Sequence, residues 1–562
     1  MRRTLLALLT LLALIGAVAP ATASAAAPAA NHAPTDVQPP IHKAKNLDQV
    51  PPGFTITPRQ ALAIAKTSRE LDAIHRAHHP LHWVVDVWGT NHYEIYFLFH
   101  GKLIADQVIG ANGQLGPTYT GPLMLGVYAR GNYGQVFDSP WVLVPFTLMF
   151  LLPLALLRRC SWLTRLDLAV VLVFGLSYWR FDTAHIESAV WLFYPPLLYL
   201  LARMLIRGFR PAAFTRRIEV PLPTVLLVIG LLALVAGRIV ITLLPPNVLD
   251  VGTASALGAN RILHGHSIYY ATQGHPDTYG PLAYLVYVPF MALTSGFSWT
   301  YLLPVREAAI AFDLLTIAGL VWLGVRLRGG HAGWRLGLLL AWLWAACPFT
   351  VLGMEKSTND GLVALLVVAV MLTLTSPIKR GIIVGLGAAS KFFPAALLPL
   401  VAIGPGNEPR TAIRKVLGGF VLAVGVSFAV FLPSGGIREV WNHTLGYQLT
   451  RSDIFSIWAL HPSLAPLKDA VELGALLLTI VVALRPRGPR TPAQVAALAG
   501  AVIIAIQLPA LHWFYMYIVW FLPLVFIAVL GVGGTGADDS LEGERAPALD
   551  QADPAPVLAG TA

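Results

Sequence analysis

Asp250, His264, His266, Asp277 and Tyr279 share one polar stretch, DVGTASALGANRILHGHSIYYATQGHPDTYGP (250–281), which directly follows an apolar run at 220–243. A carboxylate just past an apolar segment is costly to keep beside lipid, so its presence points to chemistry at a membrane surface rather than to an anchor. A positioned carboxylate can take the proton of a hydroxyl nucleophile, and Asp250 is the candidate general base. A metal-ligand role and a solvated helix end stay open for it. Asp277 precedes a helix expected near Tyr279 and has both a capping and a substrate-binding reading. His264 and His266 match no strong zinc spacing and are assigned to substrate hydrogen bonding, with plain surface histidines as the alternative. Asn359 and Asp360 open an apolar run, where Asn359 suits a helix cap and Asp360 the positive helix end. Contact with substrate is the second reading for both. Lys391, Arg261 and Arg306 are the candidate cations for an anionic ligand.

These residues need a scaffold, and composition names its class. Of 562 residues, 56% are hydrophobic and 12% charged, with a net charge of +10; the mean hydropathy is +0.65. Soluble proteins carry about 25% charged residues, so an ordinary water-soluble enzyme is excluded. Apolar runs of about 20 residues recur and predict an α-helical polytopic membrane protein. The runs are 141–157, 166–180, 187–206, 220–243, 302–326, 333–353, 359–375, 415–433, 466–485, 493–510 and 512–531. The run 379–404 is too short for two ordinary spans and reads as a broken hairpin turning at Lys391-Phe392-Phe393-Pro394, which brings the total to about 13 spans. Pro394 disfavours helix at Phe393. Irregular backbone at membrane depth lines a cavity or is buried in protein, so Lys391 is expected at the rim of a polar cavity. Arg238, within the run 220–243, is expected either to pair or to snorkel outward.

The N-terminus has a basic start at Arg2 and Arg3, an apolar stretch at 5–18 and Ala23-Ser24-Ala25. Residues 1–25 read as a secretory signal peptide. Residues 26–56 form an Ala/Pro-rich flexible linker. Residues 57–120 read as a small α+β domain outside the cytoplasm, with a helix opened by Thr57 and Pro58 over 57–74 and strands at 82–87, 92–100 and 102–109. Three helices follow at 141–206, then the main membrane region at 220–531 and an acidic, disordered cytoplasmic tail at 532–562. With the N-terminal domain outside, the dense Lys/Arg clusters fall in cytoplasmic loops, as expected for a bacterial multi-pass membrane protein. The positive charge therefore does not call for nucleic acid. Asp250, Lys391 and the 264–277 loop collect on the outer face, against the lipid bilayer. Cys160 and Cys347 form no disulfide framework.

Several short motifs carry a resemblance. Asp250 with GANRILHGHSIYY (258–270), Tyr279-Gly280-Pro281-Leu282, Cys347-Pro348, Asn359-Asp360-Gly361-Leu362-Val363 and Ala388-Ala389-Ser390-Lys391-Phe392-Phe393-Pro394 occur in this order. Residues 220–531 thereby resemble the GT-C glycosyltransferase superfamily, in its polyprenyl-phosphate-sugar-dependent mannosyltransferase-like branch. The resemblance implies transfer of a sugar, mannose favoured, from a polyprenyl-phosphate-linked donor to a cell-envelope glycan or glycolipid acceptor. It implies Asp250 as the base acting on the acceptor, Lys391 with Arg261 and Arg306 on the donor phosphate, and His264, His266, Asp277, Tyr279, Asn359 and Asp360 on the substrates. No cofactor is assigned, and a divalent metal stays open. The extracytoplasmic domain resembles a PepSY-type domain, which implies a sensing role or contact with an envelope protein partner. A membrane transporter and a non-catalytic sensor are the competing classes. No internal repeat supports the transporter, and the large Asp250 loop argues against both.

Overall fold

A computed structural model describes residues 41–531, apart from 45, 89–91, 100–101, 121–139, 159, 183–185, 215–217, 220, 245–247, 270–277, 295–301, 405–407 and 451–454. The expected signal peptide, the first part of the linker, Asp277 and the acidic tail lie outside the described residues.

The N-terminal region contains an antiparallel sheet whose spatial order follows the chain: β1 (Ile41–Lys43), β2 (His82–Trp88), β3 (His92–Phe99), β4 (Lys102–Gly110) and β5 (Leu115–Thr120). Helices α1 (Pro58–Ala65) and α2 (Arg69–Ala77) precede β2. Thr57 caps α1 in a reciprocal box: its side chain accepts from Gln60 N at 3.2 Å, and Gln60 Oε1 accepts from Thr57 N at 2.8 Å. The single helix expected over 57–74 is two helices. Thr67 Oγ1 donates to Ile64 O at 2.7 Å and Ser68 adopts extended backbone, so hydroxyl residues interrupt the helical ladder. One sheet face, with Val85, Val87, Tyr93, Ile95, Phe97, Ala105 and Ile109, packs against Ala61, Leu62, Ala65 and Leu71. The opposite face carries carboxylates. Asp86 pairs across strands with Glu94, and Asp106 with Tyr96. Asp106 is only 1% exposed. Burial first, then the charges of Glu94 and Asp86, push its carboxyl up to about 8.

The membrane region is helical: α3 (Pro140–Leu156), α4 (Trp162–Phe181, with a 3₁₀ turn at Val170–Val173), α5 (Ile186–Phe209), α6 (Thr224–Leu243), α7 (Asp250–Leu263), α8 (Leu303–Arg328), α9 (Gly330–Ala346), α10 (Pro348–Glu355), α11 (Asp360–Leu372), α12 (Pro377–Ser390), α13 (Arg410–Val430), α14 (Ala465–Leu484), α15 (Pro492–Gln507) and α16 (Ile518–Leu530). Among the described residues, five helices are long and apolar enough to cross a membrane, or six if α9 and α10 count as one bent span. Other apolar helices are shorter: α3 has 17 residues, α15 has 16, and α11 and α16 have 13 each. Close helix packing uses glycine. A Cβ on Gly381 of α12 would meet Val416 O of α13 at 2.1 Å, and one on Gly419 would meet Ile378 O at 2.6 Å, so these two backbones run in direct contact.

Two breaks shape the bundle. The run 379–404 is interrupted at Lys391-Phe392, after which Phe393–Leu397 forms a 3₁₀ turn and Leu398–Ile403 a short helix. The run 333–353, expected as one straight span, bends by 63° between α9 and α10. Pro348 has no N–H, and the residue before it is driven out of helical geometry, here Cys347 at φ −66°, ψ 124°. Carbonyls freed by the bend find donors. Thr350 Oγ1 donates to Trp344 O, which Pro348 leaves without its helical donor, and Arg238 donates to Ala345 O at 3.0 Å, and also reaches Thr350 O in α10 at 3.2 Å. Arg238 therefore does not snorkel. It is 1% exposed and forks onto both oxygens of Asp313 on α8, with Nε 3.1 Å from Oδ2. Trp344 Nε1 also donates to Asp313, at 2.8 Å.

Removing one partner of a buried ion pair strands the other, at a cost of about 3–5 kcal/mol. Arg238→Ala should lower the apparent Tm of the detergent-solubilised protein, and Arg238→Met combined with Asp313→Leu should recover much of the loss. An Arg238→Ala Tm equal to wild type would contradict the network. In the sheet, burial and the neighbouring Glu94 and Asp86 push the Asp106 carboxyl up to about 8, above its ordinary 3.8. The folded state thus binds the extra proton between these values, and stability falls as pH rises through that window. Hydrogen-exchange protection of β3 and β4, corrected for intrinsic rates, should drop from pH 5 to pH 8 in wild type and stay flat in Asp106→Asn.

Candidate functional site

The break after α12 presents Lys391, whose N–H still donates to Gly387 O at 3.0 Å. Its side chain turns inward and is 7% exposed. Nζ donates to Asp360 Oδ1 at 2.5 Å, and Trp520 Nε1 donates to the same oxygen at 2.8 Å. Aromatic rings surround the ammonium: Tyr279 at 5.1 Å, Trp520 at 5.4 Å and Tyr517 at 5.9 Å to their centroids. Negative ring faces stabilise a cation there. Tyr517 stacks on Trp520 with centroids 4.3 Å apart, and Phe393 backs Trp520 at 4.8 Å.

Asp360 is the first residue of α11, where the positive helix end favours a carboxylate, and it is 2% exposed. Asn359 occupies the cap position, but its side chain does not cap. Its Nδ2 instead donates to Ser255 Oγ of α7 at 3.3 Å. The turn that leads to Asn359 places Ser357 at φ 53°, a left-handed conformation uncommon for a non-glycine residue. α7 is tied to this turn at its start. Leu249 N donates to Lys356 O at 3.1 Å, and Gly252 sits so close to Ser357 O that a Cβ would meet it at 2.7 Å. The backbone of Asp250, the first residue of α7, therefore lies beside the turn between α10 and α11. Glu355 and Lys356, 4% and 1% exposed, add a buried pair there, with Nζ 3.3 Å from Oε2.

The segment 278–281 closes the group from another side. Gly280 N donates to Ser390 O at 3.0 Å, and a Cβ on Gly280 would lie 2.1 Å from Ala389 O. Tyr284 OH accepts from Tyr279 N at 3.2 Å. The helices that follow, Leu282–Leu285 and Val288–Leu293, are short.

Of the residues singled out from the sequence, Lys391, Asp360, Asn359 and Tyr279 meet around this one locus, together with the start of α7. The others take different hydrogen-bond partners. Arg306, 1% exposed, donates to Thr242 O and, at 3.2 Å, to Leu244 O, so it satisfies the carbonyl end of α6. Glu307, beside it, accepts from Thr294 Oγ1 at 2.8 Å. Arg261 donates to Ser267 O at 2.5 Å, near the far end of α7. His264 and His266 are exposed just beyond that end. A 14-residue helix is about 21 Å long, which separates them from the start of α7, but this end of α7 packs against Tyr279, whose carbonyl accepts from Tyr269 OH at 3.1 Å. His264 Nδ1 hydrogen-bonds to Asn260 O at 2.8 Å. Among the described residues, no group of three or more His, Cys, Asp or Glu side chains is arranged to hold a metal. Trp520, Tyr517, Ser255 and Glu355 were not singled out from the sequence. The spacing of Tyr517 and Trp520, three apart at the start of an apolar run, was the available signal.

The chemistry open to this locus is recognition of an anion. An ammonium has three N–H donors, and Asp360 takes one. The pair is electrically neutral, so an incoming anion meets a donor set held in place rather than a bare charge.

Residues 278–531 match the model of glycosyltransferase family 87, a GT-C glycosyltransferase family. The match takes in Tyr279, Asp360, Lys391 and Trp520 and begins after Asp250. Among solved structures, ArnT from Cupriavidus metallidurans, bound to undecaprenyl phosphate, aligns at 17% identity with a TM-score of 0.37, over 54% of this chain and 59% of that one. No curated protein matches the chain.

Gly280→Ala should push the 278–281 segment off the α12 terminus and speed hydrogen exchange at residue 280, whose amide otherwise donates to Ser390 O. Unchanged protection would mean that the contact tolerates a methyl group.

Proposed function

We propose that this chain, with a glycosyltransferase family 87 region at residues 278–531, is an integral-membrane glycosyltransferase that draws on a polyprenyl-phosphate-linked sugar. The observation that carries the reading is the buried Lys391 ammonium, aimed by Asp360 and ringed by Tyr279, Tyr517 and Trp520. A glycosyl phosphate reacts by breaking the bond between the sugar C1 and the phosphate oxygen. The electron pair leaves with the phosphate, and charge builds where Lys391 can donate. The acceptor hydroxyl forms the new C1–O bond and gives up its proton. Asp250, at the start of α7, is the base in this reading. Mannose is the favoured sugar, and a glycan or glycolipid of the cell envelope the acceptor.

The same reading puts the site on the outer face of a bacterial membrane, with the tail 532–562 in the cytoplasm. It rests on the placement of Lys/Arg clusters. The α+β domain at 57–120 serves in it as a PepSY-like contact or sensing module for an envelope partner. Arg261, His264 and His266, at the end of α7 that packs against Tyr279, bind substrate in this reading, and Asp277 acts from the adjoining loop.

In membranes supplied with polyprenyl-phosphate-linked radiolabelled sugar, Asp250→Ala should abolish transfer at normal protein abundance. Lys391→Met should raise the donor KM at least tenfold. Persistent transfer by Asp250→Ala would remove the base assignment. Solute movement by purified protein without glycosylation would favour the transporter.

A further inference from the structure

Asp360 is an anion set within hydrogen-bond distance of Lys391, the cation whose buried ammonium carries the donor reading. That is an odd neighbour for a phosphate site, because its charge opposes the ligand. Three features show that it is built in rather than incidental. It is 2% exposed. One of its oxygens holds both Lys391 Nζ and Trp520 Nε1, at 2.5 and 2.8 Å. It opens α11, at the positive end of the helix.

The two lipid phosphates that such an enzyme must handle differ in charge. The sugar donor is a phosphodiester with one negative charge. Breaking the C1–O bond leaves a phosphomonoester, which carries between one and two charges at neutral pH because its second pKa is about 6. A lysine alone holds the more charged product more tightly and so retards turnover. A lysine already neutralised by a carboxylate gains little from the second charge, while the carboxylate repels it.

Resting on the donor reading above, we propose that Asp360 sets the phosphate selectivity of the site. It aims Lys391 at the monoanionic phosphodiester and disfavours the dianionic phosphomonoester, so that spent carrier lipid leaves. Asp360 is thus a positioning and discriminating residue, and it takes no proton from the acceptor. Trp520 holds the carboxylate to this task, because its N–H occupies the oxygen that also receives Lys391.

The test compares full-length protein in detergent or nanodiscs binding two probes at pH 8: polyprenyl phosphate and its monomethyl ester, a phosphodiester without sugar. Wild type should bind the ester as tightly as the monoester or more tightly. Asp360→Asn, which keeps the shape and an accepting oxygen, should bind polyprenyl phosphate about tenfold more tightly, as removal of a unit charge within several ångströms implies. Its affinity for the ester should change about threefold or less, and its kcat should fall as product inhibition rises. A wild-type preference for the monoester of tenfold or more would overturn the proposal, even if Asp360→Asn failed to fold. A folded Asp360→Asn with unchanged or weakened monoester binding would overturn it as well, and would reduce Asp360 to a structural partner. Lys391→Met separates the two readings. If it leaves the binding of both probes unchanged, the donor reading itself fails.

Discussion

Lipid offers no hydrogen bonds, so a helix interrupted at membrane depth must find partners within the protein for the carbonyls it frees. Arg238 meets that constraint where α9 gives way to α10. It reaches from α6 to Asp313 on α8 while donating to Ala345 O and Thr350 O. The bend at Cys347-Pro348 thereby becomes a fixed corner. Beyond it, α10 runs for eight residues into the turn that carries Asn359 and Asp360. The same turn receives the start of α7 through Leu249. The position of Asp360, and so the direction of the Lys391 ammonium, depends on a corner that a buried arginine holds.

Comparable logic governs the other break. α12 ends at Ser390 and Lys391 takes extended backbone, whereas Phe393, expected from Pro394 to avoid helix, enters a 3₁₀ turn with it. Gly381 and Gly385 fasten the body of α12 to α13 by direct backbone contact, while Gly280 fastens the 278–281 segment to its tip. A rigid helix with a turned end can hold a charged side chain to a fraction of an ångström, which recognition of a phosphate requires.

Much of this was legible in the amino-acid order, and the limits follow from physics. The apolar runs and the Lys391 turn stand out because proline and hydropathy act locally. The 63° bend was also encoded, in Cys347-Pro348, but a continuous apolar run masked it. Pairings were not legible. Asp360 and Lys391 are 31 residues apart, Trp520 lies 160 residues beyond Asp360, and Arg238 and Asp313 are separated by 75. No periodicity reports contacts of that separation. In the sheet, β2 to β4 announce themselves by alternation, whereas β1 spans only three residues and β5 contains Gly116 and Pro117. Both lie at the edges of the sheet, where alternation and proline avoidance are weakest.

The outward surfaces of α6, α13 and α14 show a different economy. Val225, Val240, Val421, Val430, Leu476 and Leu484 are exposed and touch no part of the site. Lipid asks of such positions only that they be oily, whereas the turn at 356–360, the tip of α12 and Arg238 admit few alternatives. Two rates of drift are therefore written into one chain. Among descendants of a common ancestor, the outer faces should come to share little beyond composition. The corner and the tip, a handful of residues scattered over about 150 positions, would be the last to lose their kinship.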